Sequence, residues 1–302
     1  MTKTSRRTMI HRWGAAADRR WSAQPFRRGV PIPPEVFLAH GRTATLRYLD
    51  TAPDDATRPL VVLLADPPVT IESYSDLIGR LRDSHRVVVT ELPGFGFSTP
   101  LPGYDFTLTA LGDALTEFIA TLSDTHTTLV APCATAYCAL DIATRQPALL
   151  HRLVLTQAPD WPTALFWRDR LDRASKGILR TPLLGQLLLR AVRTNLGGQW
   201  LRRACATPDT RARLLADFAA ADRTGAAFSL ATAFQHYLAG PAPRIDTATD
   251  ILALWGDADP SHRHSDPETI TRIAPAARLV RLPDTGHFPE LERPDILAAL
   301  LR

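Results

Sequence analysis

The stretch Thr128-Leu129-Val130-Ala131-Pro132-Cys133-Ala134-Thr135-Ala136 is an apolar strand that runs straight into a helix with a thiol at the corner. A sharp strand-to-helix turn lifts its corner residue out of the sheet and aims the helix N-terminus at it. A neighbouring thiolate and a developing oxyanion both gain from that arrangement. Chemistry is therefore expected to begin at Cys133. Cys138, with no partner motif, reads as a small buried hydrophobe.

Outward from this corner the chain alternates strands and helices at short intervals, the signature of a mostly parallel sheet. Residues 36–40 and 43–50 read as a hairpin turning at Gly41, and 60–65, 86–90 and 152–156 as strands. Residues 73–82, 107–122 and 134–145 read as helices. From Trp161 to about Gly240 the pattern changes: no strand stands out, leucine-rich helical stretches dominate, and breaks fall at Pro182, Gly197-Gly198 and Pro208. Strand alternation resumes at Asp250.

Two later segments join the corner in order. Ile251-Leu252-Ala253-Leu254-Trp255-Gly256-Asp257-Ala258-Asp259-Pro260 is a strand with an acidic loop, and Thr285-Gly286-His287-Phe288-Pro289-Glu290 carries a histidine. Together with Glu91-Leu92-Pro93-Gly94-Phe95-Gly96-Phe97-Ser98, these segments resemble the α/β-hydrolase fold family from about Val36 to Arg302. Cysteine stands at the nucleophile elbow, where that family usually has serine. Ala131 and Thr135 replace two glycines of the elbow pattern, and Thr135 is expected to crowd a close backbone approach.

The resemblance implies an α/β fold: a mostly parallel twisted sheet flanked by helices, with a helical cap inserted after strand six. The expected parts are a basic N-terminal arm (1–30), a core (31–159 and 246–302) and a cap (160–245). It also implies a triad of Cys133, His287 and Asp259. Aligning on Gly256 favours Asp259 over Asp257, which suits a turn. A cysteine beside a histidine at a helix N-terminus should favour thiolate, with His287 moving the proton and Asp259 fixing the tautomer. A satisfied core histidine is the alternative for His287.

The oxyanion loop departs from the family. Where such hydrolases place His-Gly and an amide donor, this chain reads Ala65-Asp66-Pro67-Pro68, and proline has no N–H to give. The N–H of Ala134 remains as one donor, and Val69 could substitute for the other through a shifted loop. Asp66 has two readings: turned into the pocket as an acid or base, or turned away to cap local amides.

Composition agrees with one α/β domain carrying an insertion: 302 residues, 45% hydrophobic and 22% charged. Three cysteines are too few and scattered for a disulfide framework or zinc site, which suits a reducing cytoplasm. His262, His264 and Asp266 match no metal-site spacing and read as solvated loop. No cofactor is expected, because Gly94-Phe95-Gly96 opens no dinucleotide fingerprint. Nucleic acid is not expected as a partner either, since basic residues beyond the leader are dispersed among acids.

Residues 1–30 hold Lys3 and seven arginines against Asp18 alone, a net +7 that leaves −3 for the rest. With Trp13, Trp21 and Phe26 interleaved, this segment could touch an acidic partner or membrane surface, or be a partly disordered arm or a helix packed on the domain. It has no h-region of a secretory signal, and no run is long and uncharged enough to span a bilayer. Trp161, Phe166 and Trp167, followed by Leu183, Leu184, Leu187, Leu188 and Leu189, suggest a hydrophobic pocket wall, or ordinary cap core.

Three functions fit. The first is an acyl-processing enzyme (thioesterase, esterase, lactonase or acyltransferase) acting on a small or carrier-bound acyl substrate. The second is a non-hydrolytic enzyme using His287 or Asp66 as proton shuttle, and the third is a binding protein without catalysis.

Overall fold

The structure is a computed structural model that describes the backbone of all residues except 1, 2, 28, 30, 31, 56 and 123–126. Side chains are described for the remaining residues other than 3–11, 26 and 27, so Phe26 and most of the basic leader's charges lie outside the described residues.

Eight principal strands form one sheet: β1 (Val36–His40), β2 (Ala44–Asp50), β3 (Leu60–Leu64), β4 (Arg86–Thr90), β5 (Thr128–Pro132), β6 (Arg152–Thr156), β7 (Asp250–Gly256) and β8 (Arg278–Leu282). Their order is β1-β2-β4-β3-β5-β6-β7-β8, antiparallel from β1 through β2 to β4 and parallel from β4 onward. β3 is buried along its whole length because both faces are covered, which is why its sequence is a continuous apolar run. Leu60, Val62 and Leu64 enter one core layer, and Val61, Leu63 and Ala65 the other. α3 (Leu108–Thr121) and α4 (Thr135–Arg145) cover the first face, and α2 (Ser75–Leu81) and α9 (Pro294–Leu301) the second. Cys138 lies fully buried in the first layer, as a small hydrophobe should.

Between β6 and β7 the chain leaves the sheet for α5 (Trp161–Ala174), α6 (Leu184–Ala204), α7 (Pro208–Thr224) and α8 (Leu230–Gln235). Two expectations fail here. Gly197-Gly198 is not a break but lies inside α6, where a Cβ on Gly197 would stand 2.5 Å from the Phe218 ring of α7. The glycine is there for close helix packing, and tertiary contact overrides its low helix propensity. The segment also contains a two-residue strand, Ala227–Phe228, paired with Phe95–Gly96 of the turn after β4. Two residues are too short for a periodicity signal.

The basic leader is helical as α1 (Lys3–Ser22), and its described part packs on the domain. Gly14, Ala15, Asp18 and Ser22 are buried, while Trp13 is exposed. Thr232 of α8 donates to Asp18 Oδ2 at 2.5 Å, and Gln186 of α6 donates to Thr232 at 2.8 Å. Arg190 lies over the Trp21 ring at 4.8 Å. Arg19 bonds the Tyr104 carbonyl, so α1 spans the inserted helices and the core. Among the described residues no helix is long and apolar enough to cross a membrane.

Candidate active site

β5 delivers Cys133 at φ +47°, and Ala134 returns to φ −62° before α4 begins. A left-handed non-glycine residue costs of the order of 1–3 kcal/mol and persists only where its surroundings enforce it. Here the Cys133 N–H donates to Thr156 O of β6 at 2.7 Å, and its carbonyl accepts from Ala136 N–H at 3.2 Å. Thr135 does not clash as its size suggested: it is buried, with its hydroxyl donating to Pro132 O at 2.5 Å.

The loops after β7 and β8 bring the acid and the imidazole together. His287 Nδ1 donates to Asp259 Oδ2 at 2.6 Å. Asp259 also accepts from Ser261 N–H (2.8 Å), the Ser261 hydroxyl (2.7 Å) and Gln157 Nε2 (3.1 Å). Asp257 stands apart on the surface, bonded to Arg281. The histidine loop is held by the insertion. His287 N–H donates to Ala204 O, and the buried Glu292 carboxylate collects the N–H groups of Gly286, Ala206 and Thr207 at 2.8–3.0 Å.

Asp66 faces inward. Its Oδ2 lies 3.3 Å from His287 Nε2, and neither atom has an aligned hydrogen bond. The donor atoms of Asp66, Cys133 and His287 all fall within 4.8 Å of one another, as do those of Asp259, His262 and His287.

Electrostatics oppose the expected thiolate. Burial, then the Asp66 carboxyl, push the Cys133 thiol pKa up, outweighing His287 and the Ala134 N–H. For His287 burial acts downward, yet Asp259, Asp66 and Cys133 together raise it well above its ordinary value. The same partnership, against burial, holds the Asp259 carboxyl far below the usual range. The resting site therefore favours thiol and imidazolium.

These groups open onto a cavity of about 380 Å³, large enough for a sizeable organic ligand. Trp167, Leu188, Leu189, Trp200 and Phe228 from the insertion face Tyr104 and Phe106 from the core. Trp161 lies beneath instead, packed at 4.9 Å against Tyr137. Phe166 points to solvent at 55% exposure, as do Leu184 and Leu187, because the helix faces alternate. Leu183 precedes α6, at φ +68°.

Known proteins share this fold. A family model described as alpha/beta hydrolase fold matches residues 68–294. The chain belongs to the α/β-hydrolase fold family. Epoxide hydrolase A from Mycobacterium thermoresistibile superposes with a TM-score of 0.68 at 19% identity, over 88% of this chain and 97% of that one. A thermophilic esterase from Thermogutta terrifontis gives 0.63 at 21%, over 88% and 96%. An epoxide hydrolase from Bacillus megaterium gives 0.62 at 15%, over 88% and 98%. At such identities the likeness is one of fold. No curated protein matches the chain in sequence.

Against this α/β-hydrolase frame the oxyanion loop stands out. Pro67 has no N–H, and Val69 cannot replace it, because its N–H already donates to Asp66 O at 2.9 Å. His262, expected in a solvated loop, is buried and stacked on His287 with ring centroids 5.5 Å apart. Burial and the His287 charge push its pKa down to about 4, so it is a neutral partner. His264 and Asp266 are exposed. Sequence reasoning missed Gln157, Ser261 and Trp200, whose ring lies edge-on 5.0 Å from His287. Only their position at strand ends or in the insertion could have flagged them.

Proposed function

We propose that this α/β-hydrolase is an acyl-processing enzyme that takes a bulky, largely apolar acyl group, free or carrier-borne, onto Cys133. The observation that carries this is the strained elbow cysteine facing a histidine whose other nitrogen is fixed by Asp259 at 2.6 Å. Sulfur attacks the acyl carbon, the thiol proton passes to a neighbouring base, and the leaving group departs protonated. Thioester exchange suits a thiol nucleophile, since a thioester is made as one is broken. The inserted helices, supplying one wall of the cavity, act as the cap that selects the acyl group.

Incubation with activated esters and acyl thioesters, followed by intact-mass and peptide mass spectrometry, is expected to add one acyl mass at Cys133. Cys133→Ala should add none. Failure of the wild type to acylate with any of these donors would sink the covalent route.

The missing amide donor and inward Asp66 favour a second reading, in which Asp66 and His287 move protons in an elimination, cyclisation or isomerisation without an acyl-enzyme. That reading requires Cys133→Ala to keep most of the turnover.

A further inference from the structure

We propose that the Asp66 carboxyl, carrying a proton, donates the second hydrogen bond to the developing oxyanion, in place of the backbone amide that Pro67 removes. This rests on the acyl-enzyme reading above.

The donor inventory comes first. Ala134 N–H, at the start of α4, faces the Cys133 sulfur. Pro67 offers nothing and the Val69 N–H is engaged. With one amide donor missing, acyl transfer is expected to run about 10²–10³ slower unless another group substitutes. Asp66 is the polar side chain standing at that gap. It is 6% exposed, it lines the cavity beside Cys133, and its Oδ2 has no aligned hydrogen-bond partner.

Its surroundings decide which form it takes. Facing it are the Cys133 thiol from the elbow and His287 from the loop after β8. Glu290, from the turn following His287, adds repulsion, while burial keeps the Tyr74 hydroxyl neutral. Behind His287 stands Asp259. A proton between Asp66 Oδ2 and His287 Nε2 can rest on either atom, giving an ion pair or a neutral pair. When an apolar acyl chain fills the cavity and expels water, the neutral pair gains, because desolvation penalises separated charges. Asp66 then holds an O–H and His287 a free Nε2 lone pair, which are the donor and the base that the attack requires. A buried carboxylic acid acting as donor is an established device in other folds.

The step balances. The sulfur pair forms the S–C bond, the thiol proton moves to His287 Nε2, and the carbonyl π pair moves onto oxygen between Ala134 N–H and Asp66 O–H. On collapse that pair re-forms the carbonyl, the bond to the leaving group breaks, and the leaving group takes the Nε2 proton. Asp66 keeps its own proton throughout.

The test is single-turnover acylation of the full chain by p-nitrophenyl octanoate, read as nitrophenol release and as acyl mass on Cys133. Variants are compared at equal folded fraction. Asp66→Asn, whose amide donates without needing a proton, should acylate within about tenfold of wild type. Asp66→Ala should be slower by about 10²–10³, and adding Pro67→Gly, which restores an N–H, should recover part of the loss. Asp66→Ala acylating at the wild-type rate overturns the assignment. So does Asp66→Asn falling as low as Asp66→Ala, which would make the carboxylate a base. No adduct on the wild type overturns the acyl-enzyme reading and this one with it; an adduct with either of those variant patterns overturns this one alone.

Discussion

Asp259 is the residue on which the orientation of the imidazole depends. Its two oxygens gather His287, Ser261 and Gln157, so the ring is held as the Nδ1–H tautomer. Asp259→Asn should leave the fold intact and lower Cys133 acylation by about 10⁴, as loss of the correct tautomer does in serine triads. Measuring the rate against a matched thermal unfolding curve checks both halves. Cys133, His287 and Asp259 were legible because each sits at a strand end with turn residues beside it. The inward direction of Asp66 was not, since its own sequence permits both directions and the partner that meets it lies near the other end of the chain. Gln157 was invisible for a related reason. It sits at φ +53° and bonds both N–H and C=O of Gly256, but nothing in Thr156-Gln157-Ala158 marks it.

At the scale of elements, the site depends on two loops meeting closely. A Cβ on Gly256, at the end of β7, would stand 1.9 Å from Gly286 O and 2.5 Å from Thr285 O, both backbone atoms of the histidine loop. Gly256→Ala is therefore expected to cost about 2–3 kcal/mol in urea unfolding and to slow acylation as His287 is displaced. A variant as stable and active as wild type would contradict the close packing. Most strands were readable here because two-sided burial leaves continuous apolar runs, as in Leu60–Leu64; β8, partly exposed and carrying Arg278 and Arg281, was not. Helix boundaries in the insertion were less so. Gly197 looks like a stop in isolation and is a contact point once Phe218 is placed against it.

Across the whole molecule, three buried carboxyls far apart in sequence set how stability responds to pH. Burial raises Asp18, Glu91 and Glu290 to about 7, despite Thr232 at Asp18, Arg47 at Glu91 and Thr156 at Glu290. A carboxyl whose folded pKa is raised stabilises the fold while protonated. That contribution is complete below the unfolded value and is lost as pH climbs through the folded one. For Asp18 the window runs from 3.8 to about 7. Asp18→Asn should therefore gain on the wild type steadily across that window in thermal unfolding, then hold a constant margin above it. Asp259 acts with the opposite sign, its depressed pKa withdrawing stability only in acid. The sequence showed α1 as a basic segment with several possible fates; its buried stripe of Gly14, Ala15, Asp18 and Ser22 is too short and too mixed with arginine to announce a docking face. That stripe has a temporal consequence. Asp18 finds its seat on Thr232, 214 positions downstream, so on the ribosome α1 must wait for α8 to emerge. Its docking would then be a late event of assembly.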